Sequence, residues 1–306
     1  MKNTHKFKTI LAITSLTIAS AVSAAETISI LYGFSPAAHQ ATTLRIIADE
    51  ANKAQSKYNF IIDFKTGAGG SIAANHVQQY PEKTLVGMSS SFFIRPVVET
   101  IGIHDLDKFK PILVQATGAP IILLSKKYKN LNDLLAQAYP SIGTGGSIPD
   151  MLANMFKEKN PNLIIVNYPG MLDGAQAAGA GHIDAAMTFS IGARALVSAS
   201  KVSVIGYTGR KELPEFPGAQ LTKQGILDAD QLVANYAIFA STDMPDEKYR
   251  EIHDILSKAG KNDRVVEAYK LDLLVPANMS LEKSIEWYSS ERQYWRKTAN
   301  RLLKNK

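Results

Sequence analysis

A six-residue glycine-rich motif occurs twice in the chain, as GAGGSI at residues 67–72 and as GTGGSI at residues 143–148. Each copy follows a strand-like segment and precedes a helix-like segment. Glycine permits positive φ and close approach of another group. A helix that begins behind such a loop presents unpaired amides and partial positive charge. The repeat therefore predicts two similar strand–loop–helix units, and two lobes that jointly hold a small anion.

Strand-like and helix-like segments alternate along the rest of the chain, which predicts α/β units with parallel strands. In such sheets ligands lie beyond the carboxyl ends of the strands. Two apolar stretches, residues 111–124 and 235–241, fit strands that cross between the lobes. We therefore predict one discontinuous lobe, residues 25–122 with 235–306, and a second lobe of residues 123–234.

The residue patterns also predict the limits of individual elements. We expect helices from Thr42, over residues 131–139, and from Pro149, with Ser147 or Ile148 as the cap of the last. We expect a buried strand over residues 163–167 and another over 183–189. The last helix, residues 281–303, carries aromatic side chains that we expect to pack on a core.

The N-terminus is typical of a secretion signal. An apolar run, residues 9–22, follows three lysines: Lys2, Lys6 and Lys8. The run is too short for a membrane anchor, and small residues precede a cleavage point after Ala24. We predict a signal peptide of residues 1–24 and a periplasmic mature chain. The absence of cysteine excludes disulfides, thiolate catalysis and a lipoprotein anchor.

Other binding functions find little support in the sequence. Loss of the three lysines lowers the formal charge from +6 to +3, which is too mild to indicate a nucleic-acid partner. Neither glycine loop is a dinucleotide fingerprint, since Ile72 and Ile148 replace the final glycine, and no P-loop lysine follows. No histidine pair has metal-ligand spacing. We expect no cofactor and no metal.

Two polar segments at predicted strand ends are candidates for ligand contact. His39 lies in the turn after the first strand, where its side chain could reach a ligand. Ser89 to Ser91 end the third strand. The nucleophile motif of α/β-hydrolases is absent, so we interpret these hydroxyls as hydrogen-bond donors.

Six short motifs follow one another along the mature chain: FSPAA (34–38), GAGG (67–70), DKFKPI (107–112), GGS (145–147), VNYPG (166–170) and GHIDAAM (181–187). In order and spacing they resemble the solute-binding receptors of tripartite tricarboxylate transporters, the Bug-type periplasmic proteins. The resemblance implies a type II periplasmic-binding fold, with two α/β lobes that are joined by two crossing segments and close on a ligand. It also implies delivery to the membrane subunits of a transporter by a receptor that we expect to be a monomer.

In this family the loop after the first strand and the Tyr-Pro-Gly loop clamp a carboxylate, largely through backbone amides and bridging waters. Such amides suit carboxylates. Carried over, with hydroxyls from neighbouring loops, the candidate ligand contacts are Ser35, Ala37, Ala38, His39, Gln40, Ser89, Ser90, Gly145, Ser147, Tyr168, Gly170, Met171 and Asp184. Asp184 either orients a loop of the cleft or only ends a strand.

The first loop departs from the family pattern. Ala37 and Ala38 replace two glycines, which disfavours positive φ there. Ala41 stands four residues before Arg45, where the family has an aspartate that could pair with an ammonium group. We therefore predict a di- or tricarboxylate instead of an amino acid. A receptor for a membrane sensor kinase and a secreted serine hydrolase remain as alternatives.

Overall fold

The computed structural model describes residues 25–98 and 103–303, so the predicted signal peptide lies outside the described part of the chain. The strands in this part are β1 (Glu26–Tyr32), β2 (Tyr58–Phe64), β3 (Thr84–Met88), β4 (Phe109–Ala119), β5 (Ile122–Ser125), β6 (Ser141–Thr144), β7 (Ile164–Asn167), β8 (Ala185–Thr188), β9 (Ser203–Tyr207), β10 (Ala234–Ser241) and β11 (Val275–Pro276). The α-helices are α1 (His39–Ala54), α2 (Ser71–Gln79), α3 (Ser91–Val98), α4 (Leu131–Leu135), α5 (Ser147–Lys159), α6 (Met171–Ala180), α7 (Ser190–Ser198), α8 (Asp246–Ala259), α9 (Asp263–Leu271) and α10 (Leu281–Leu303).

The strands form two sheets. The first has the order β11-β4-β10-β3-β1-β2, and the second has the order β7-β6-β8-β5-β9. We call the unit built on the six-stranded sheet the first lobe and the unit built on the five-stranded sheet the second lobe. The predicted parallel pairing holds for β1 with β2 and β3, and for β6 with β7 and β8. β10 is antiparallel to both of its neighbours because it returns from the second lobe.

The crossing from one lobe to the other determines which strand ends of the two sheets face each other. We call the side of each sheet at these strand ends its facing edge. β4 ends at Ala119, and β5 begins at Ile122 after a break of two residues. Ile122 pairs with Thr188, the last residue of β8, because β5 and β8 are antiparallel. The carboxyl ends of the parallel strands in both sheets therefore lie on the side of the crossing. The loops that follow β1, β3, β6, β7 and β8 all begin at these two edges.

Several predicted boundaries are wrong. α1 begins at His39, three residues earlier than predicted, and α4 ends at Leu135 instead of reaching residue 139. α5 begins at Ser147 with Gly146 as its cap, so Pro149 is its third residue. Neither α3 nor α7 was predicted, because each is a short apolar segment directly after a buried strand.

The predicted buried strand at residues 163–167 is β7, which lies at the edge of its sheet. Ile164 is 49% exposed there, because an edge strand has a neighbour on one side only. The packing of the last helix agrees better with the prediction. Tyr288 and Trp295 of α10 are buried, and Tyr288 joins an aromatic cluster with Phe92 and Phe239.

Candidate functional site

The loop between β1 and α1 turns without any positive φ, so the two alanines are accommodated without strain. Ser35 Oγ accepts a hydrogen bond from the Ala37 amide at 3.2 Å, and Arg45 Nη1 donates to the Pro36 carbonyl at 3.1 Å. Ala38 is the cap of α1 and offers no side-chain acceptor to the first turn. Ser35 and Ala37 are exposed, as expected of residues that could meet a ligand.

His39 is the first residue of α1 and its side chain is 9% exposed. Its Nδ1 lies 2.6 Å from Oδ2 of Asp272, which follows α9 directly. The predicted position of His39 in an open turn is therefore wrong, because the helix begins there and Asp272 holds the imidazole. Nε2 of His39 is buried and has no hydrogen-bond partner among the described residues.

Gln40 is turned into the first lobe. Its side chain is buried, and Nε2 donates to Oε1 of Gln115 on β4 at 3.3 Å. The structure therefore does not bring the Gln40 side chain to the surface of the loop, contrary to the prediction. The reason is the early start of α1, which places residue 40 on the face of the helix that packs on the sheet.

The serines after β3 have different surroundings. Ser90 is fully buried, its Oγ accepts a hydrogen bond from the Asn235 amide at 3.0 Å, and it donates to the Val233 carbonyl at 3.3 Å. This hydroxyl ties β3 to the segment that returns to β10, so it is not available to a ligand as predicted. Ser89 is half-buried, and its Oγ lies 3.1 Å from Oγ of Ser91.

The two glycine motifs adopt different conformations despite their similar sequences. In the first copy Gly67, Gly69 and Gly70 all have positive φ. In the second copy the close approach of another loop requires glycine, since a Cβ on Gly145 would lie 2.5 Å from the backbone carbonyl carbon of Gly170. The two motifs therefore share the predicted order of strand, loop and helix but differ in backbone conformation.

The second lobe brings four predicted residues together. Gly145 packs against Gly170 and Met171, and Ser147 begins α5 just beyond this contact. Tyr168 lies in the same loop, but its ring packs over Gly143 and Gly174. The Tyr168 ring therefore packs within the second lobe, whereas the backbone of its loop lies at the carboxyl end of β7.

Arg95 of α3 is a further charged group at this edge, and the sequence analysis missed it because α3 was not predicted. The guanidinium packs on the first glycine loop, where a Cβ on Gly69 would lie 2.1 Å from Nε of Arg95. Its positive charge also acts on Asp150, in the first turn of α5. Burial raises the pKa of Asp150, while the positive charge of Arg95 opposes the rise. Arg95 thus contacts the first glycine loop and acts electrostatically on α5, the helix that follows the second glycine loop.

Asp184 lies away from the other predicted residues. It precedes β8 at the amino end, and Ser141 N and Oγ donate to Oδ2 at 3.0 and 2.9 Å. Lys127 Nζ donates to Oδ1 at 3.0 Å. Burial favours a higher pKa, but these hydrogen bonds outweigh it and hold the pKa of Asp184 below its ordinary value. Asp184 therefore ties β8 to β6 at the strand ends remote from the crossing, which supports a structural role.

A pocket of about 550 Å³ lies behind the crossing segments, lined in part by Gly118, Pro120, Val233 and Leu273. None of the predicted contact residues lines it. Within residues 25–98 and 103–303 no cluster of three or more acidic or histidine side chains could hold a metal ion. No helix in the same ranges is long and apolar enough to cross a membrane.

Comparison with known proteins adds two findings. The sequence model of the tripartite tricarboxylate transporter family receptor matches residues 43–300. Among solved structures, the periplasmic binding protein BugD has a TM-score of 0.79 at 15% identity, over 90% of this chain and 97% of BugD.

Two further structural neighbours were solved with ligands. An R. palustris protein with adipate has a TM-score of 0.78 at 18% identity, over 90% of this chain and 97% of its own. The MatC protein from Rhodopseudomonas palustris with bound malate has a TM-score of 0.76 at 18% identity, over 89% and 98% of the two chains. These likenesses confirm the predicted fold class, two α/β lobes of the type II periplasmic-binding kind.

Proposed function

Because the chain belongs to the tripartite tricarboxylate transporter family of receptors, we propose that it is a periplasmic solute-binding protein for a small di- or tricarboxylate. It captures the ligand in a cleft between the two lobes and delivers it to the membrane subunits of the transporter. Binding engages both lobes and so favours the closed arrangement through its higher affinity for that state.

The observation that carries the proposal is the set of helix starts at the facing sheet edges. α1, α2, α5 and α6 all begin there, and none of them has a side-chain cap. Of the helices that begin elsewhere, α4 and α9 are capped by Asn130 and Asn262, whereas α8 follows Pro245 and has no side-chain cap. Uncapped first-turn amides carry partial positive charge and accept carboxylate oxygens as hydrogen-bond partners.

Two features support a carboxylate with more than one acidic group. Arg95 adds a full positive charge beside the first glycine loop. Two structural neighbours hold adipate and malate, which are both dicarboxylates. In addition, Ala41 leaves the first turn of α1 without the acidic side chain that would pair with the ammonium group of an amino acid. We propose Ser35, Ala37, Ala38, Ser89, Gly145, Ser147, Gly170 and Met171 as the contacts, together with Arg95.

The serine environments support a binding protein without catalytic turnover. The Ser90 hydroxyl is held by backbone groups, and Ser89 contacts Ser91 instead of a histidine. His39, which has a carboxylate partner, forms no hydrogen bond with either serine in the described residues. We further propose that residues 1–24 are a cleaved signal peptide, that the lobe boundaries are those predicted from the sequence, and that the receptor is a monomer.

Thermal-shift measurements on the mature chain test the function. We expect stabilisation by di- or tricarboxylates such as malate, adipate or citrate, and little or none by uncharged analogues of the same size. An Arg95→Gln variant should lose most of this stabilisation, while Arg264→Gln, on the exposed face of α9, should keep it. Stabilisation by uncharged compounds alone would refute the proposal.

A further inference from the structure

Asp272 is a fully buried carboxylate with polar contacts to both lobes. In the first lobe, Nδ1 of His39 lies 2.6 Å from Oδ2. From the second lobe, the amide of Ile191 donates to Oδ1 at 3.1 Å. Ile191 is the second residue of α7, so the carboxylate occupies the place of the missing side-chain cap. One side chain of the first lobe thus caps a helix of the second.

The residues around Asp272 also reach across the lobes. Arg194 of α7 donates from Nη1 to the Leu271 carbonyl at 2.9 Å, and Glu215 holds the same guanidinium at 2.7 and 3.0 Å. Leu273 packs against the apolar cluster of the second lobe that contains Tyr207. Residues 271–273 therefore form a contact between the lobes that is separate from the two chain crossings.

A tyrosine of the same lobe also lies near the carboxylate. Burial of Tyr236 on β10, together with the negative charge of Asp272, raises the pKa of the Tyr236 hydroxyl. A buried carboxylate is costly unless it is hydrogen-bonded or paired. His39 and Tyr236 belong to the same lobe as Asp272, so they stay with it when the lobes move. The bond from Ile191 is the one that joins the Asp272 side chain to the other lobe.

We propose that Asp272 is a positioning residue that holds the cleft closed by capping α7 across the lobes. The proposal rests on the proposed function, because it assigns to Asp272 part of the closure that a two-lobed receptor undergoes. In the closed arrangement the start of α7 has an anionic cap, and in the open arrangement both the helix start and the carboxylate lose this partner. A smaller closed fraction reduces the apparent ligand affinity in proportion.

The test compares Asp272→Asn with Asp263→Asn, the same substitution at an exposed position on α9. Small-angle scattering is recorded on each variant without ligand, and affinity for malate and adipate is measured by calorimetry. We expect Asp272→Asn to increase the radius of gyration and to weaken binding by about tenfold or more, as expected for loss of a charge-assisted hydrogen bond. Asp263→Asn should match the wild type in both measurements.

Circular dichroism and thermal unfolding establish that each variant is folded. If Asp272→Asn does not fold, Arg194→Gln breaks the neighbouring contact from the second lobe and should shift scattering and affinity in the same direction. Unchanged scattering and unchanged affinity in a folded variant would overturn the proposal. If the wild type binds no carboxylate, the proposed function fails, whereas the scattering of the ligand-free variants still decides the role of Asp272.

Discussion

The hydroxyl oxygen of Ser71 lies 3.0 Å from Nδ1 of His104, and neither side chain reaches solvent. Nε2 of His104 lies 2.8 Å from the carbonyl oxygen of Phe92, and the Phe92 ring stacks on the imidazole. This serine–histidine contact therefore joins the start of α2 to α3 and is closed to any substrate. It fixes α3, and with it Arg95, relative to the first glycine loop.

The buried imidazole makes stability depend on pH. Burial lowers the pKa of His104 to about 4, against about 6.5 in the unfolded chain. The unfolded state therefore takes up a proton first, and stability is lost as pH falls from about 6.5 towards 4. Between pH 7.5 and 4.5 this costs about 2.5 kcal/mol of unfolding free energy. In urea titrations at both pH values, His104→Asn should show a smaller difference than the wild type by about that amount. An exposed control, His182→Asn, should keep the wild-type difference.

The two serines after β3 should respond differently to alanine. Ser90→Ala leaves the buried amide of Asn235 without its acceptor, and we expect a loss of about 1–3 kcal/mol in the free energy of unfolding. Ser89→Ala should change stability by less than about 0.5 kcal/mol, since its hydroxyl is half-buried and contacts the hydroxyl of Ser91. Under the proposed function Ser89→Ala weakens carboxylate binding. Equal stability of the two variants would contradict this division of roles.

Alanine at Gly69 tests the link between the first glycine loop and Arg95. Gly69 and Gly218 both have positive φ, so alanine costs about 1–2 kcal/mol at either position. A Cβ on Gly69 also displaces the guanidinium, whereas a Cβ on Gly218 meets nothing within 4 Å. We expect similar losses of stability in the two variants. Only Gly69→Ala should weaken carboxylate binding, by about tenfold. If Gly69→Ala binds carboxylates with the wild-type affinity, the proposed contact between Arg95 and the ligand is wrong.

Asp184 should affect stability and leave binding unchanged. Its carboxylate accepts three hydrogen bonds at the sheet edge remote from the crossing, and Asp184→Asn weakens or removes them. We expect a loss of about 1–3 kcal/mol in chemical unfolding. Calorimetry should give the wild-type dissociation constant for any carboxylate that binds. Asp243→Asn, at an exposed turn, is the neutral control.

Features that depend on local conformational demands could be predicted from the sequence. Positive φ at Gly67, Gly69 and Gly70 and close approach at Gly145 are requirements that only glycine meets easily, so they are visible in the sequence. The alternation of strands and helices was equally visible, because its hydrophobic periods are local.

The errors arose where contacts distant in sequence decide the structure. His39 and Asp272 are brought together only by the packing of α1 against α9, so a residue in a turn looked free to meet a ligand. Arg95 was missed because α3 is a short apolar helix that contains Pro96. The surroundings of Asp184 were not predictable, because a motif does not tell which end of a strand faces the other lobe.

The place of β10 in the first sheet determines the order in which the two lobes can be completed. β10 lies between β3 and β4, and it is more than a hundred residues later in the chain than either. The first sheet therefore stays split during synthesis until residue 241 has emerged, with the facing edges of β3 and β4 unpaired. The second sheet uses residues 122–207 only and can form earlier. Since long loop closures slow folding, the second lobe should fold first and provide the surface on which the last third of the chain completes the receptor.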